Sequence, residues 1–85
     1  MNHKATPRFW AAYHALPAEV QRLADWCYQQ LKADEGYPSL HLKRVGRYWA
    51  VRVGLRHRAL GVEHEGTIAW FWIGSHAEYD RLIRS

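Results

Sequence analysis

The 85-residue sequence predicts an α+β fold in which a helical hairpin packs on a four-stranded, mostly antiparallel sheet followed by a C-terminal helix. Three observations support this prediction. Apolar residues recur every three to four positions up to about residue 34, which is the period of an amphipathic helix. From residue 38 to residue 73 the apolar period is two, as in a strand. Ser75 and Glu78 then form an S-x-x-E capping box, which predicts a final helix.

The helical hairpin is predicted from its start and stop signals. Thr6 followed by Pro7 is typical of a helix N-terminus, because a hydroxyl caps free N–H groups and proline fits the first turn. Pro17 begins a second, longer helix that runs to about Asp34. Gly36 is expected to end this helix in the usual C-terminal position. The apolar stripe of the second helix consists of Val20, Leu23, Ala24, Cys27 and Leu31.

The first three strands follow from the alternation of apolar and polar residues. Leu40 and Leu42 alternate with polar neighbours and predict the first strand. After a turn at Gly46, residues 48–53 form the second strand. Residues 57–63 form the third.

The fourth strand, residues 67–73, is apolar on both faces, with Trp70 and Trp72 expected on the same side. A strand of this kind is covered on both faces. The helical hairpin is expected to cover one face, and the C-terminal helix the other. Met1–Ala5 is too short and polar to predict a strand.

The composition predicts one soluble, cytoplasmic domain over residues 1–85. The longest uncharged run, residues 66–77, contains far fewer than the ~18–20 consecutive apolar residues of a membrane span. A single cysteine, Cys27, cannot form an internal disulfide and excludes a thiolate zinc site. The sequence has no metal-ligand spacing and no glycine-rich phosphate loop. We therefore expect neither a metal nor a cofactor.

Positive charge is concentrated in the middle of the chain. The net charge is +4, yet no acidic residue lies between Glu35 and Glu63. A concentrated positive field favours a polyanionic partner, such as nucleic acid or an acidic protein. The alternative is a solvated basic face of the sheet. Half of the 12 lysines and arginines lie in this basic block: Lys43, Arg44, Arg47, Arg52, Arg56 and Arg58.

Five segments, spread over most of the chain, are similar to those of a known protein family. They are Leu16–Val20, Pro38–Leu40 with Lys43, Trp49–Val53, His57–Gly61 and Trp72–Asp80. With these segments the sequence resembles the RelE/ParE superfamily of toxins from type II toxin–antitoxin systems. The resemblance implies a RelE-like fold, no cofactor and a cognate antitoxin as partner. It leaves the activity open, because RelE-like members cleave mRNA on the ribosome and ParE-like members poison DNA gyrase on the same scaffold.

The sequence departs from the RNA-cleaving relatives just before the first predicted strand. Some of those relatives place a carboxylate there as a general base. This chain has Tyr37-Pro38-Ser39-Leu40 instead. The residue that would act as the base is therefore left open.

His76 and Tyr79 are the candidates for acid–base chemistry. Metal-free RNA cleavage needs a base for the 2′-hydroxyl, an acid for the leaving oxygen and cations around the phosphate. The resemblance supports His76, which stands in a Gly-Ser-His setting like that of RNA-cleaving relatives. Tyr79 lies on the same helical face and could stack a base or donate its hydroxyl. Otherwise His76 only fills the corner between strand and helix, and Tyr79 packs in the core.

The phosphate-binding candidates are basic residues of the strands. Arg58 shares its side of a strand with apolar residues, so we expect it to be partly buried and to need an anionic partner. That partner is a substrate phosphate or, alternatively, Glu63 or Asp80. The match to an active-site arginine of the family favours a catalytic role for Arg58. Further nucleic-acid-binding candidates are Lys43, Arg44, Arg52 and Arg56.

Three functions are compatible with this sequence. We expect first a ribosome-dependent mRNA endoribonuclease that inhibits translation, with the ribosome, mRNA and an antitoxin as partners. The alternatives are a ParE-like inhibitor of DNA gyrase and a non-toxic protein-interaction module. His76 with Arg58 favours the first function over the second, whereas the missing carboxylate keeps the third open.

Overall fold

The computed structural model describes residues 1–84, which form three helices and a five-stranded sheet. The helices are α1 (Pro7–His14), α2 (Ala18–Ala33) and α3 (His76–Arg84). The strands are β1 (Asn2–Ala5), β2 (Lys43–Val45), β3 (Tyr48–Val53), β4 (His57–His64) and β5 (Thr67–Ser75). Their spatial order is β1-β5-β4-β3-β2, and only the β1–β5 pair of these strands is parallel. The α+β class is confirmed, with one strand more than the sequence predicted.

Helices α1 and α2 cover one face of the sheet, as predicted, and enclose the main core. The buried residues of this core are Tyr13, Ala24, Cys27, Leu31, Leu40, Val51, Val53, Ala59, Ile68, Trp70 and Ile73. The opposite face carries a smaller cluster under α3, which contains Ala50, Leu60 and Tyr79. Of α1, α2 and α3, none is long and apolar enough to cross a membrane.

Both predicted helix N-terminal caps are present. The Thr6 hydroxyl accepts a hydrogen bond from the N–H of Phe9 at 3.2 Å. Ser75 and Glu78 form a reciprocal capping box: Ser75 N–H donates to the Glu78 carboxylate at 3.1 Å, and Glu78 N–H donates to the Ser75 hydroxyl at 3.2 Å. These contacts satisfy N–H groups that the first helical turn leaves free.

The predicted role of Gly36 is wrong. Helix α2 ends at Ala33, its C-cap residue Asp34 is extended, and Gly36 has no positive φ. Instead, the N–H of Gly36 donates to the Asp34 side chain at 2.9 Å. A side-chain turn thus ends this helix where a left-handed glycine was expected.

The N-terminal residues form a strand although their sequence gave no such signal. In β1, Asn2 pairs with Thr67 and Ala5 with Trp70 of β5. His3 fixes the strand, since its Nδ1 accepts a hydrogen bond from the Trp70 indole N–H at 3.1 Å and its Nε2 contacts Glu35. The His3 side chain is only 2% exposed. Tertiary contacts, rather than local propensity, therefore make this strand.

The first predicted strand is displaced towards the C-terminus. Pro38–Leu40 forms a short 3₁₀ helix, and the following strand, β2, begins only at Lys43. Between them His41 adopts a left-handed conformation, with φ 47° and ψ 52°. Leu40 is 1% exposed, so this turn is anchored in the core. A proline that starts a 3₁₀ turn here prevails over the alternation of Leu40 and Leu42.

A β-bulge in β5 reverses the faces of its last residues. Leu60 of β4 lies opposite Trp72, but the next residue, Gly61, lies opposite Trp70, so Phe71 is the extra residue. One extra residue shifts all later side chains to the other face. Trp70 therefore packs in the main core and Trp72 beside the cluster under α3. The prediction that the two tryptophans share a face is wrong.

Candidate active site

A polar groove of about 140 Å³ opens on the face of the sheet that α3 covers only in part. Strands β2, β3 and β4, the start of α3 and the turn before β2 contribute its walls. Five residues singled out from the sequence line it: Lys43, Arg52, Arg58, His76 and Tyr79. The remaining lining residues are His41, Ala50 and Val51. Within this lining there are three permanent cations and no carboxylate.

Two arginines face each other at the centre of this groove. Arg52 of β3 and Arg58 of β4 are cross-strand partners in the antiparallel register. Like charges placed directly opposite each other repel. Arg58 is half-buried, and its Nη1 donates to the carbonyl of His57 at 2.8 Å and to that of Gly54 at 3.5 Å. These bonds hold the guanidinium in place beside Arg52.

Burial and a second cation dominate the surroundings of Arg58, and the favourable effects of Tyr79 and Asp80 are smaller. Burial, followed by the nearby charge of Arg52, lowers the pKa of Arg58. An arginine nonetheless remains charged at physiological pH. Within residues 1–84 Arg58 forms neither of the ion pairs considered from the sequence. Glu63 instead accepts the indole N–H of Trp49 at 3.0 Å, and Asp80 contacts His76.

His76 is the first residue of α3, and its backbone N–H donates to the carbonyl of Arg56 at 2.8 Å. Its Nδ1 lies 3.1 Å from a carboxylate oxygen of Asp80, one helical turn later. A carboxylate only accepts, so Nδ1 carries the proton of this contact. The second ring nitrogen, Nε2, is then the one available for chemistry in the groove.

Tyr79 forms the floor beside His76, with 5.9 Å between the ring centroids. Only 5% of this tyrosine is exposed. Burial raises the pKa of its phenol, and the neighbouring Arg58 opposes this shift only in part. The phenol therefore keeps its proton at neutral pH and can donate a hydrogen bond. Its position also shows that Tyr79 is part of the apolar cluster under α3, so it serves packing as well.

Two of the predicted nucleic-acid-binding residues lie outside the groove. Arg44 on β2 stacks over the Trp49 ring and lies 3.7 Å from Glu63. Arg56 lies in the turn between β3 and β4 and contributes its carbonyl to the start of α3. Both belong to the surrounding basic surface.

His41 is the groove residue that the sequence did not identify. Its place between Leu40 and Leu42 predicts only a polar residue of the first strand. The left-handed turn after the 3₁₀ helix places it in the lining instead. Residues in the left-handed region are not signalled by periodicity, although histidine is one of the residue types enriched there. No group of three or more histidine, cysteine and acidic side chains within residues 1–84 could hold a metal ion.

Comparisons with known proteins agree with this architecture. The fold is similar to a chain in the crystal structure of the RelB–RelE antitoxin–toxin complex from Methanococcus jannaschii, with a TM-score of 0.70, 15% identity and coverage of 91% of this chain and 95% of that one. It is also similar to a chain of the toxin–antitoxin complex RelBE2 from Mycobacterium tuberculosis, with a TM-score of 0.63, 14% identity and coverage of 88% and 96%. No curated protein matches the sequence.

Identities this low demonstrate the fold alone, so family membership depends on the sequence. Residues 18–81, well over half of the chain, match the model of the ParE-like toxin domain. The chain therefore belongs to the ParE-like toxin domain family and is a toxin of the RelE/ParE superfamily.

Proposed function

We propose that this toxin is an endoribonuclease that cleaves mRNA on the ribosome without a metal ion. The observation that carries the proposal is the opposed pair of Arg52 and Arg58 in a groove that also contains His76. Two guanidinium groups held side by side, neither of them in an ion pair within residues 1–84, form a site for a group with more than one anionic oxygen. A phosphodiester fits, since each planar guanidinium can bind phosphate oxygens bidentately.

The proposed reaction uses the RNA's own nucleophile. The 2′-hydroxyl loses its proton to a base and attacks the adjacent phosphorus, and the bond from phosphorus to the 5′-oxygen breaks. The products are a 2′,3′-cyclic phosphate and a 5′-hydroxyl. Arg58 and Arg52 stabilise the charge that develops on the phosphate oxygens, and Lys43 provides a further phosphate contact.

His76 supplies the proton to the leaving 5′-oxygen from Nε2. The Asp80 carboxylate accepts the Nδ1 proton and so fixes the orientation of the ring. A hydrogen bond to one ring nitrogen commonly orients a histidine that reacts through the other. The protonated phenol of Tyr79 donates a hydrogen bond to the substrate or stacks on a base.

Single-turnover cleavage of ribosome-bound mRNA tests this proposal. His76→Ala should reduce the cleavage rate by roughly 10²–10⁴-fold, the usual contribution of a general acid. Arg58→Ala should lose roughly 10²–10³-fold, and Arg58→Lys should recover only part, because lysine restores the charge without the planar fork. Arg22→Ala, an exposed arginine of α2 on the other side of the sheet, is the matched control and should cleave like the wild type.

The capping box is formed by Ser75 and Glu78, so His76→Ala should retain the wild-type melting temperature. Wild-type cleavage by both His76→Ala and Arg58→Ala would contradict the proposed site. Absence of any cleavage by the wild type would contradict the activity itself.

Inhibition of DNA gyrase is the second candidate, because the matching family model is ParE-like. The two functions differ in the process that stops first after induced expression. Pulses of labelled methionine, thymidine and uridine distinguish them: an early stop in methionine incorporation alone supports mRNA cleavage. An early stop in thymidine incorporation supports gyrase as the target.

The proposed protein partner is a cognate antitoxin with an acidic, disordered segment. The similar structures are antitoxin–toxin complexes, and here the region between Glu35 and Glu63 contains six basic residues and no acid. Attraction to this basic block should be screened by salt. We expect the association rate to fall by at least about tenfold between low salt and ~0.5 M salt, with a smaller change in the dissociation rate. An association rate that is independent of salt would exclude the basic block as the docking surface.

A further inference from the structure

We propose that His41 is the general base of the cleavage reaction, so that the site works with two histidines. This inference rests on the proposed function. His41 and His76 line the same groove, although one follows the 3₁₀ helix and the other begins α3. The other four histidines of the chain lie outside this lining: His3, His14, His57 and His64.

The backbone holds the His41 side chain at the groove. The residue has φ 47° and ψ 52°, a left-handed conformation that costs energy for any residue with a side chain. Leu40, immediately before it, is buried in the main core and prevents the turn from relaxing. Strained positions held by their surroundings cluster at functional sites. Here the strained backbone places the His41 imidazole in the same groove lining as Arg52 and Arg58.

The composition of the groove leaves His41 as the proton acceptor. Its lining has no carboxylate, and its titratable groups are His41, His76, Lys43 and Tyr79 beside the two arginines. Ammonium and guanidinium groups only donate. Burial keeps the phenol of Tyr79 protonated.

His76 has its Nδ1 engaged by Asp80 and is the proposed acid. Within residues 1–84 the remaining imidazole, His41, forms no hydrogen bond or ion pair, and it is exposed at the groove, so it is open to a substrate hydroxyl.

The step balances with these two groups. A ring nitrogen of His41 takes the proton of the 2′-hydroxyl, the 2′-oxygen bonds to phosphorus, the bond to the 5′-oxygen breaks, and His76 gives that oxygen its proton. His41 ends protonated and His76 neutral. The enzyme is reset when solvent exchanges one proton with each histidine.

His41→Gly is the informative variant, because glycine adopts the left-handed conformation without strain and leaves space for a small molecule. We expect the single-turnover rate on ribosome-bound mRNA to fall by roughly 10²–10⁴-fold at neutral pH, with an unchanged melting temperature. Added imidazole should restore the rate by about tenfold or more, since it supplies the missing base. His64→Ala, which removes an exposed histidine at the far end of β4, is the matched control and should retain the wild-type rate.

The pH dependence separates a base from a positioning role. Wild-type cleavage should follow a bell-shaped pH profile, as expected for one base and one acid. The other charged and titratable groups at the site are the same in every variant: Lys43, Arg52, Arg58 and Tyr79 in the groove lining, and Asp80 against His76. His41→Gly should lose the acid limb of the profile and His76→Ala the alkaline limb.

A wild-type rate for His41→Gly, or a loss that keeps the acid limb and does not respond to imidazole, would overturn the assignment and leave the proposed function intact. No cleavage by the wild type would overturn both. A substrate with 2′-deoxy at the cleaved nucleotide should remain intact in all reactions.

Discussion

One face of the sheet is apolar and the other carries arginines, although side chains of the same strands alternate between the two faces. In β3, Val51 and Val53 are buried under the helical hairpin, and Arg52 between them is exposed at the groove. In β4, Ala59 is buried on the hairpin side, and Arg58 faces the groove. One register therefore specifies the core and the candidate site together. A slip by one residue would move the arginines into the core and the valines into solvent.

The two faces also differ in how completely helices cover them. Helices α1 and α2 close the core face, whereas α3 covers only the part of the other face near Leu60 and Tyr79. The uncovered part is the groove. Stability should therefore depend mainly on the hairpin face, and chemistry mainly on the open face. Three substitutions test this division.

The largest effect on stability is expected from Ile68→Ala on the hairpin face. Ile68 is 0% exposed, so truncation removes apolar contacts and leaves a cavity. The free energy of unfolding should fall by about 2–5 kcal/mol, measured by urea denaturation. The matched control is Val62→Ala on the open face, where Val62 is 38% exposed, and its effect should stay within about 0.5 kcal/mol. Equal losses for both variants would contradict the proposed division.

A smaller effect is expected from Gly61→Ala, at the bulge where β5 exchanges its faces. A Cβ at Gly61 would lie 2.6 Å from Cγ2 of Ile68 and 3.1 Å from the carbonyl oxygen of Ala69. Because a backbone oxygen cannot move aside freely, the free energy of unfolding measured by urea denaturation should fall by about 1–3 kcal/mol. Gly36→Ala is the control, since its Cβ would meet nothing closer than 3.4 Å. Wild-type stability for Gly61→Ala would mean that the bulge adjusts to the added methyl group.

The smallest effect is expected from Glu78→Gln in the capping box of α3. Hydrogen bonds from the backbone and side chain of Ser75 lower the pKa of Glu78. A carboxyl group with a lowered pKa stabilises the fold above its unfolded-state pKa, and this contribution is lost as pH falls through the folded-state pKa. The variant should be less stable than the wild type by at most about 1 kcal/mol at pH 7. The two should converge under acidic conditions, and a constant difference across the acidic range would contradict this cause.

Much of the fold could be predicted from short-range patterns. The caps at Thr6 and Ser75 and the alternation of β3 and β4 depend on neighbouring residues, so the sequence reveals them directly. Strand β1 could not be predicted, because it depends on the contact of His3 with Trp70. The displaced start of β2 was missed because the proline turn and the apolar alternation predict different structures for the same residues.

Site residues could be predicted only where alternation along a strand determines the face of the sheet on which a side chain lies. In these regular strands, alternation places Arg52 on the face opposite Val51 and Val53, and Arg58 on the face of Leu60, as the structure has them. Their direct opposition needed the register of β3 with β4, which a single strand does not reveal. Trp72 was misplaced because a bulge is invisible to a period-two pattern. His41 was missed because its placement comes from a left-handed backbone.

The pairing of β1 with β5 has a consequence for how the chain is synthesised. Asn2 pairs with Thr67, so β1 leaves the ribosome before its partner strand β5, which is translated 65 positions later. The groove likewise requires α3, the last element, to bring His76 beside Arg58. Contacts between such distant positions form late in folding. A nascent chain therefore carries neither a complete sheet nor a complete groove until β5 and α3 have been synthesised.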